Sequence, residues 1–298
     1  MSFNDNARLD TSQVGSGGGR GGRGVAVGGG LGGIILLVVA GLLFGQDGID
    51  MVTGGGQQQQ RQGSITSVAE QDRELAERCQ TGADADRYDD CRQIATVNSL
   101  NEFWGSYYPQ ATGERYEQPG VMLYNGVEQS GCGQASAAVG PFYCPVDTSV
   151  YLDVGFFDQM RESFGASANA LAQEYVMAHE VGHHIQNLQG ADSGAVRVEL
   201  QADCYAGMWA HHASQPGGSV SLEPITNDQL ADALNAAQAI GDDRIQETTQ
   251  GRANPESFTH GSSAQRQAWF LSGYQTGDIN QCDTFSSRNL DRPAGLRG

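Results

Sequence analysis

Ala178-His179-Glu180-Val181-Gly182-His183-His184-Ile185 is the stretch on which the reading of this chain turns. Around it, Leu171, Tyr175, Ala178, Gly182 and Ile185 recur at three- and four-residue spacing. That period predicts a long amphipathic helix over 167–189, with Gly190 where a left-handed cap is expected. Residues four apart on a helix differ by about 40° in direction, so His179 and His183 share a face and can reach one metal ion. Glu180 is turned by about 100° from His179, at the edge of that face. There it can take a proton from a metal-activated water without being forced to ligate. This is the H-E-x-x-H pattern of zinc hydrolases.

The next helical pattern, 195–212, carries Glu199-Leu200-Gln201-Ala202-Asp203. Glu199 and Asp203 are again four apart. Glu199 can supply the third ligand from a facing helix, and Asp203 can accept a hydrogen bond from the outer nitrogen of a ligating His. Two His and one carboxylate leave a fourth position for water, the mark of a catalytic site. A third helix is expected over 228–241, capped by Thr226 or Asn227. A fourth opens on the capping box Ser262-Ser263-Ala264-Gln265 and runs to Tyr274. Earlier in the chain, 67–93 and 98–108 read as helices, and 121–124 and 150–154 as strands. Strands first and helices after predict an α+β domain over 66–298. His184, His211 and His212 read as structural, the last two as a positive end to the second helix.

Four segments together resemble the bacterial neutral zinc metallopeptidases, a group of gluzincin-type zincins. They are His179 to Gln186, Glu199 to Asp203, Gly140-Pro141-Phe142-Tyr143-Cys144-Pro145 and Phe258-Thr259-His260-Gly261-Ser262. The resemblance covers roughly residues 120–275 and extends to an N-terminal anchor. It implies a zincin-like domain holding one catalytic Zn²⁺ on His179, His183 and Glu199, with Glu180 as the base. It implies that His260 donates to the oxyanion, with Arg266 assisting. It implies that an extended peptide or protein substrate lies along an edge strand, here expected at Gln134, Ala135, Ser136, Ala137, Ala138 and Val139. The activity implied is a membrane-anchored, zinc-dependent endopeptidase. A non-catalytic zincin-shaped envelope scaffold and a zinc amidase acting on cell-wall peptide stay open beside it.

The rest of the sequence speaks to compartment. The chain has 298 residues, 35 acidic and 17 basic, a formal net charge of −18. Every basic residue is Arg. So acidic a chain is not built to bind nucleic acid, which needs a basic surface. Gly is 42 of 298, and much of the excess lies between Gly15 and Gly33. Residues 1–23 read as a polar, Gly- and Arg-containing cytoplasmic tail. Residues 24–46 carry no charge; as a helix they span about 34 Å, enough to cross a bilayer. Arg20 and Arg23 before this segment and Asp47 and Asp50 after it put the N-terminus in the cytoplasm and the main domain on the outer face of the cell membrane. A cleaved signal peptide is the alternative, but Leu43-Phe44-Gly45 lacks the small residue that cleavage needs at its first position. Residues 47–65, with Gly54 to Gly56 and Gln57 to Gln60, read as a flexible linker. Six Cys in an exported chain imply disulfides, with neighbour pairing Cys79–Cys91 and Cys132–Cys144 the simplest of 15 pairings and Cys204 and Cys282 left over.

Overall fold

A computed structural model describes residues 3–16, 68–136, 139–158, 169–191, 195–239 and 258–296. The expected span 24–46 and linker 47–65 lie outside the described residues, as do Ala137 and Ala138. Among the described residues no helix is long and apolar enough to cross a membrane. The fold is α+β. In chain order the strands are β1 (Gly15–Ser16), β2 (Gly120–Tyr124), β3 (Val127–Ser130), β4 (Gly133–Ser136), β5 (Phe142–Cys144) and β6 (Ser149–Asp153). The helices are α1 (Val68–Arg78), α2 (Gly82–Arg87), α3 (Asp89–Thr112), α4 (Ala170–Leu188), α5 (Ala195–Ala213), α6 (Asn227–Ala239) and α7 (Ser263–Thr276).

One sheet has the order β1-β2-β6-β5, with β5 antiparallel to β6 and the other pairs parallel. β3 and β4 form a separate antiparallel hairpin. α4 is the hub: it packs on α3, α5 and α6 and touches β5 and β6. Trp104, Trp209, Trp269, Tyr175 and Tyr205 are fully buried among these helices. α5 and α7 cross at backbone contact, since a Cβ on Gly207 would lie 2.0 Å from the Phe270 carbonyl oxygen, and one on Gly273 2.0 Å from that of Cys204. That approach sets the last helix directly behind the second motif.

The long helix expected over 67–93 is three pieces. α1 ends at Arg78, Thr81 and Asp84 form a capping box that restarts the chain as α2, and α3 then runs unbroken through the segment read as a separate 98–108 helix. The disulfide Cys79–Cys91 closes this corner. The others are Cys132–Cys144 and Cys204–Cys282, and no described cysteine is free. Cys204–Cys282 closes a 78-residue separation, worth about 4–5 kcal/mol in the chain-entropy account against about 3 for a loop of a dozen residues. It ties the C-terminal segment to the residue beside Asp203.

Residues 3–16 correct the reading of 1–23 as a detached tail. Phe3, Ala7 and Val14 are buried in the main core, and β1 adds a strand to β2. These apolar residues stand singly in a polar context, which hid the packing from the sequence.

Glu174 on α4 is fully buried, and neither of its carboxylate oxygens has a hydrogen-bond partner among the described residues. Burial pushes its pKa from 4.5 up to about 7, with Arg92 pulling it partly back. The folded state therefore holds this proton more tightly than the unfolded chain. Its contribution is complete below pH 4.5 and is lost as pH rises to about 7. Glu174→Gln is expected to raise Tm at about pH 8 and to change it little at about pH 4. Equal shifts in thermal unfolding at both pH values would contradict this.

Candidate metal centre

The site forms where α4 and α5 cross. A Cβ on Gly182 would meet the Ala202 Cα and carbonyl oxygen at 3.0 Å, so the glycine inside the first motif admits the second helix at close range. His179 and His183 point across that gap, and Glu199 meets them from α5. His179 Nε2 is 3.2 Å from His183 Nε2 and 3.2 Å from Glu199 Oε2, and His183 Nε2 is 3.6 Å from Glu199 Oε1. One ligand atom from each lies within 4.8 Å of the others. Two ligands held about 2.0–2.1 Å from one tetrahedral zinc are about 3.3 Å apart, so the spacing fits a shared ion. The donor set of two imidazoles and a carboxylate fits as well. The His183 side chain is 18% exposed against 7% for His179 and 8% for Glu199, so the accessible side of the site is at His183.

Both His rings are fixed from behind. His179 Nδ1 is 2.9 Å from Asp203 Oδ1. Arg266 donates to Asp203 twice, Nε to Oδ2 at 2.9 Å and Nη2 to Oδ1 at 2.9 Å, and once to the Tyr175 hydroxyl at 3.1 Å. The Tyr175 hydroxyl in turn donates to Asp203. His183 Nδ1 is 2.9 Å from Gln186 Oε1, and the Gln186 amide donates to the Val198 carbonyl at 2.6 Å and to Gln201 Oε1 at 3.1 Å. Each ring thus presents Nε2 to the shared point.

The electrostatics follow from this packing. Burial works against a charged His179, but Asp203 and Glu199 outweigh it and raise its pKa to about 9. Burial likewise opposes the charged carboxylates, yet both are held low: Asp203 by Arg266 and His179, Glu199 by His183, His260 and His179. A metal entering at neutral pH must therefore displace a proton from His179. Zinc is expected to bind about tenfold more weakly for each unit the pH falls from about 8 to 6. In Asp203→Asn the His179 pKa drops, so that competition should begin at lower pH. Chelator-competition titrations across pH check both, and a pH-independent Kd would contradict them.

Glu180 is buried beside His179, and no hydrogen bond among the described residues occupies its carboxylate. His260 lies in the loop before α7, its Nδ1 2.9 Å from the Thr259 hydroxyl, near enough for its charge to act on Glu199. Arg266 needs correction. It is 1% exposed and donates to Asp203 and Tyr175, so it braces the site from behind. The stretch 134–139 lies apart from the main sheet. Among the described residues β4 pairs with β3 alone, outside the main sheet, and Ala135, Ser136 and Val139 are buried, Ala135 against Tyr124, Cys144 and Tyr151. The edge strand of the main sheet beside α4 is β5, whose Tyr143 hydroxyl meets His184 Nδ1 at 3.0 Å and the Asn187 amide at 3.0 Å.

His184 is structural, its Nε2 2.6 Å from the Glu117 carbonyl. His211 and His212 satisfy the end of α7, at the Tyr274 and Gly277 carbonyls, and not the end of their own helix. Gln186 and Tyr175 are the site residues that sequence reasoning missed. Gln186 lies three residues after His183 and Tyr175 four before His179, and that spacing was the available signal.

Comparison with known proteins adds a family. The family model described as "Putative neutral zinc metallopeptidase" matches residues 2–194 and 189–285. An uncharacterized protein of Mycobacterium tuberculosis is 51% identical over 227 residues, 71% of this chain and 76% of its own. The uncharacterized protein YpfJ of Escherichia coli is 40% identical over 283 residues, 89% of this chain and 90% of its own. No solved structure matches the chain.

Proposed function

The chain belongs to the neutral zinc metallopeptidase family, and from that premise we propose that it is a zinc-dependent endopeptidase with one catalytic ion on His179, His183 and Glu199. The observation that carries this reading is the convergence of those three ligand atoms within 4.8 Å, with Glu180 buried next to His179 in the same helix. When bound, Zn²⁺ supplies a Lewis acid that brings the pKa of a coordinated water towards about 7 and polarises a carbonyl. Glu180 takes the proton from the attacking water and returns it to the leaving amine. His260 donates to the developing oxyanion, an interaction worth about 3–4 kcal/mol when well aimed. The edge of β5 that pairs with no described strand offers backbone groups to an extended peptide, a form of strand addition. Three disulfides support an oxidising, extracytoplasmic setting, and the uncharged segment 24–46 supports attachment to the membrane.

The test is cleavage of a peptide library by the full chain, zinc-loaded and chelated. Residues 66–298 alone would lack the buried N-terminal segment. Internal cleavage that is lost with chelator and restored by one equivalent of zinc is expected. Stoichiometric zinc with no cleavage would favour the scaffold reading, and cleavage confined to cell-wall peptides would favour the amidase.

A further inference from the structure

The N-terminal residues bear on a question independent of catalysis: where the two ends of the chain before α1 stand relative to a membrane. Phe3 to Ser16 is held along its whole length. Asn4 N–H donates to the Ser221 carbonyl at 3.0 Å, Leu9 N–H to that of Gln80 at 3.0 Å, and Gly82 N–H to that of Ala7 at 3.0 Å. Asp10 and Asn98 exchange two hydrogen bonds, at 2.7 and 3.0 Å. Phe3 is 1% exposed. The receiving edge, Gln80 to Gly82, is the loop closed by Cys79–Cys91. Gly82 is itself shaped for this contact. It occupies the first position of α2 with no positive φ, where alanine would ordinarily serve better, yet a Cβ there would lie 2.0 Å from the Asn4 carbonyl oxygen.

At its far end, Ser16 N–H donates to Asp72 Oδ1 at 2.9 Å. Asp72 is four residues into the helix that begins at Val68, about 6 Å along its axis. Ser16 and Val68, which bound the undescribed stretch 17–67, therefore lie within about two helical turns of each other. A single crossing by residues 24–46 would put Ser16 and Val68 on opposite sides of about 30 Å of hydrocarbon. The two arrangements exclude each other. The apolar core of that segment, Leu31 to Phe44, is 14 residues, a length more typical of a re-entrant or interfacial segment than of a full crossing, which needs about 20.

We propose that Phe3–Ser16 is a resident strap of the catalytic domain, so that the N-terminus and the metal centre lie on the same side of the membrane. This replaces the single-pass topology expected from the flanking charges.

Two measurements on the full chain test it. Every described native cysteine is in a disulfide, so Asn6→Cys and Gln215→Cys each add one exposed thiol, one on the strap and one on the domain. In intact cells, a membrane-impermeant maleimide is expected to treat the two alike, both labelled or both protected until the cells are opened. Labelling of one and protection of the other would overturn the proposal. In the purified protein, Gly82→Val is expected to release the strap and make the chain cleavable by trypsin after Arg8 at least tenfold faster than in the parent. Asn98→Ala, which removes only the pair of bonds to Asp10, should give a smaller increase. If Gly82→Val fails to fold, by circular dichroism, Asn98→Ala decides. Cleavage after Arg8 that is as fast in the parent as in the folded variants would overturn the docking itself.

Discussion

Glu180→Gln is expected to leave the protein folded and loaded with one zinc while lowering kcat/KM by about 10²–10⁴. Glutamine keeps the shape of the side chain but cannot accept the proton of the attacking water. The two His rings are held without Glu180, since their Nδ1 atoms are fixed by Asp203 and Gln186. Zinc content by mass spectrometry, read beside cleavage rates, checks both halves at once. Loss of zinc with loss of activity would make Glu180 part of the metal's support. Undiminished cleavage would remove it from the chemistry.

Arg266→Met is expected to act chiefly on stability. The guanidinium faces Asp203 in a site where both side chains are almost wholly buried, 2% and 0% exposed. Removing one partner of a buried ion pair leaves the other charge uncompensated and costs about 3–5 kcal/mol. In a domain of this size that lowers Tm by about 6–20 °C. Asp203, freed to move, would hold His179 less well, so zinc affinity should fall by about 10–100-fold. Adding Asp203→Asn to the variant removes the stranded charge and should recover part of the lost Tm. Thermal unfolding of the two single variants and the double variant measures the coupling. A normal Tm with a raised KM would restore Arg266 as a substrate-binding residue.

Much of the site was legible because helix geometry makes it so. His179, His183 and Glu199 needed only a period of 3.6 residues and a facing helix to be brought together. Asp203 followed from the same spacing, and the disulfides Cys79–Cys91 and Cys132–Cys144 from proximity in sequence. The edge strand beside α4 was not legible, because β4 and β5, four and three residues long, read alike, and only the sheet order sets β5 at the main sheet's margin. Arg266 was misread because an arginine near a catalytic histidine carries the same sequence signal whether it faces substrate or a buried carboxylate. Only the α5–α7 crossing, at Gly207 and Gly273, decides between them. The N-terminal strap was invisible for a different reason. Its hydrogen-bond partners are 56 to 217 residues away in sequence, and no local period reports a contact made at that distance.

The most direct test of the account is X-ray absorption of the zinc-loaded full chain. It should show one zinc per chain with nitrogen and oxygen ligands only, at about 2.0–2.1 Å, two of them imidazoles. His183→Ala should remove one imidazole from that pattern. Sulfur in the coordination sphere, or a folded parent that takes up no zinc, would contradict the account at its centre.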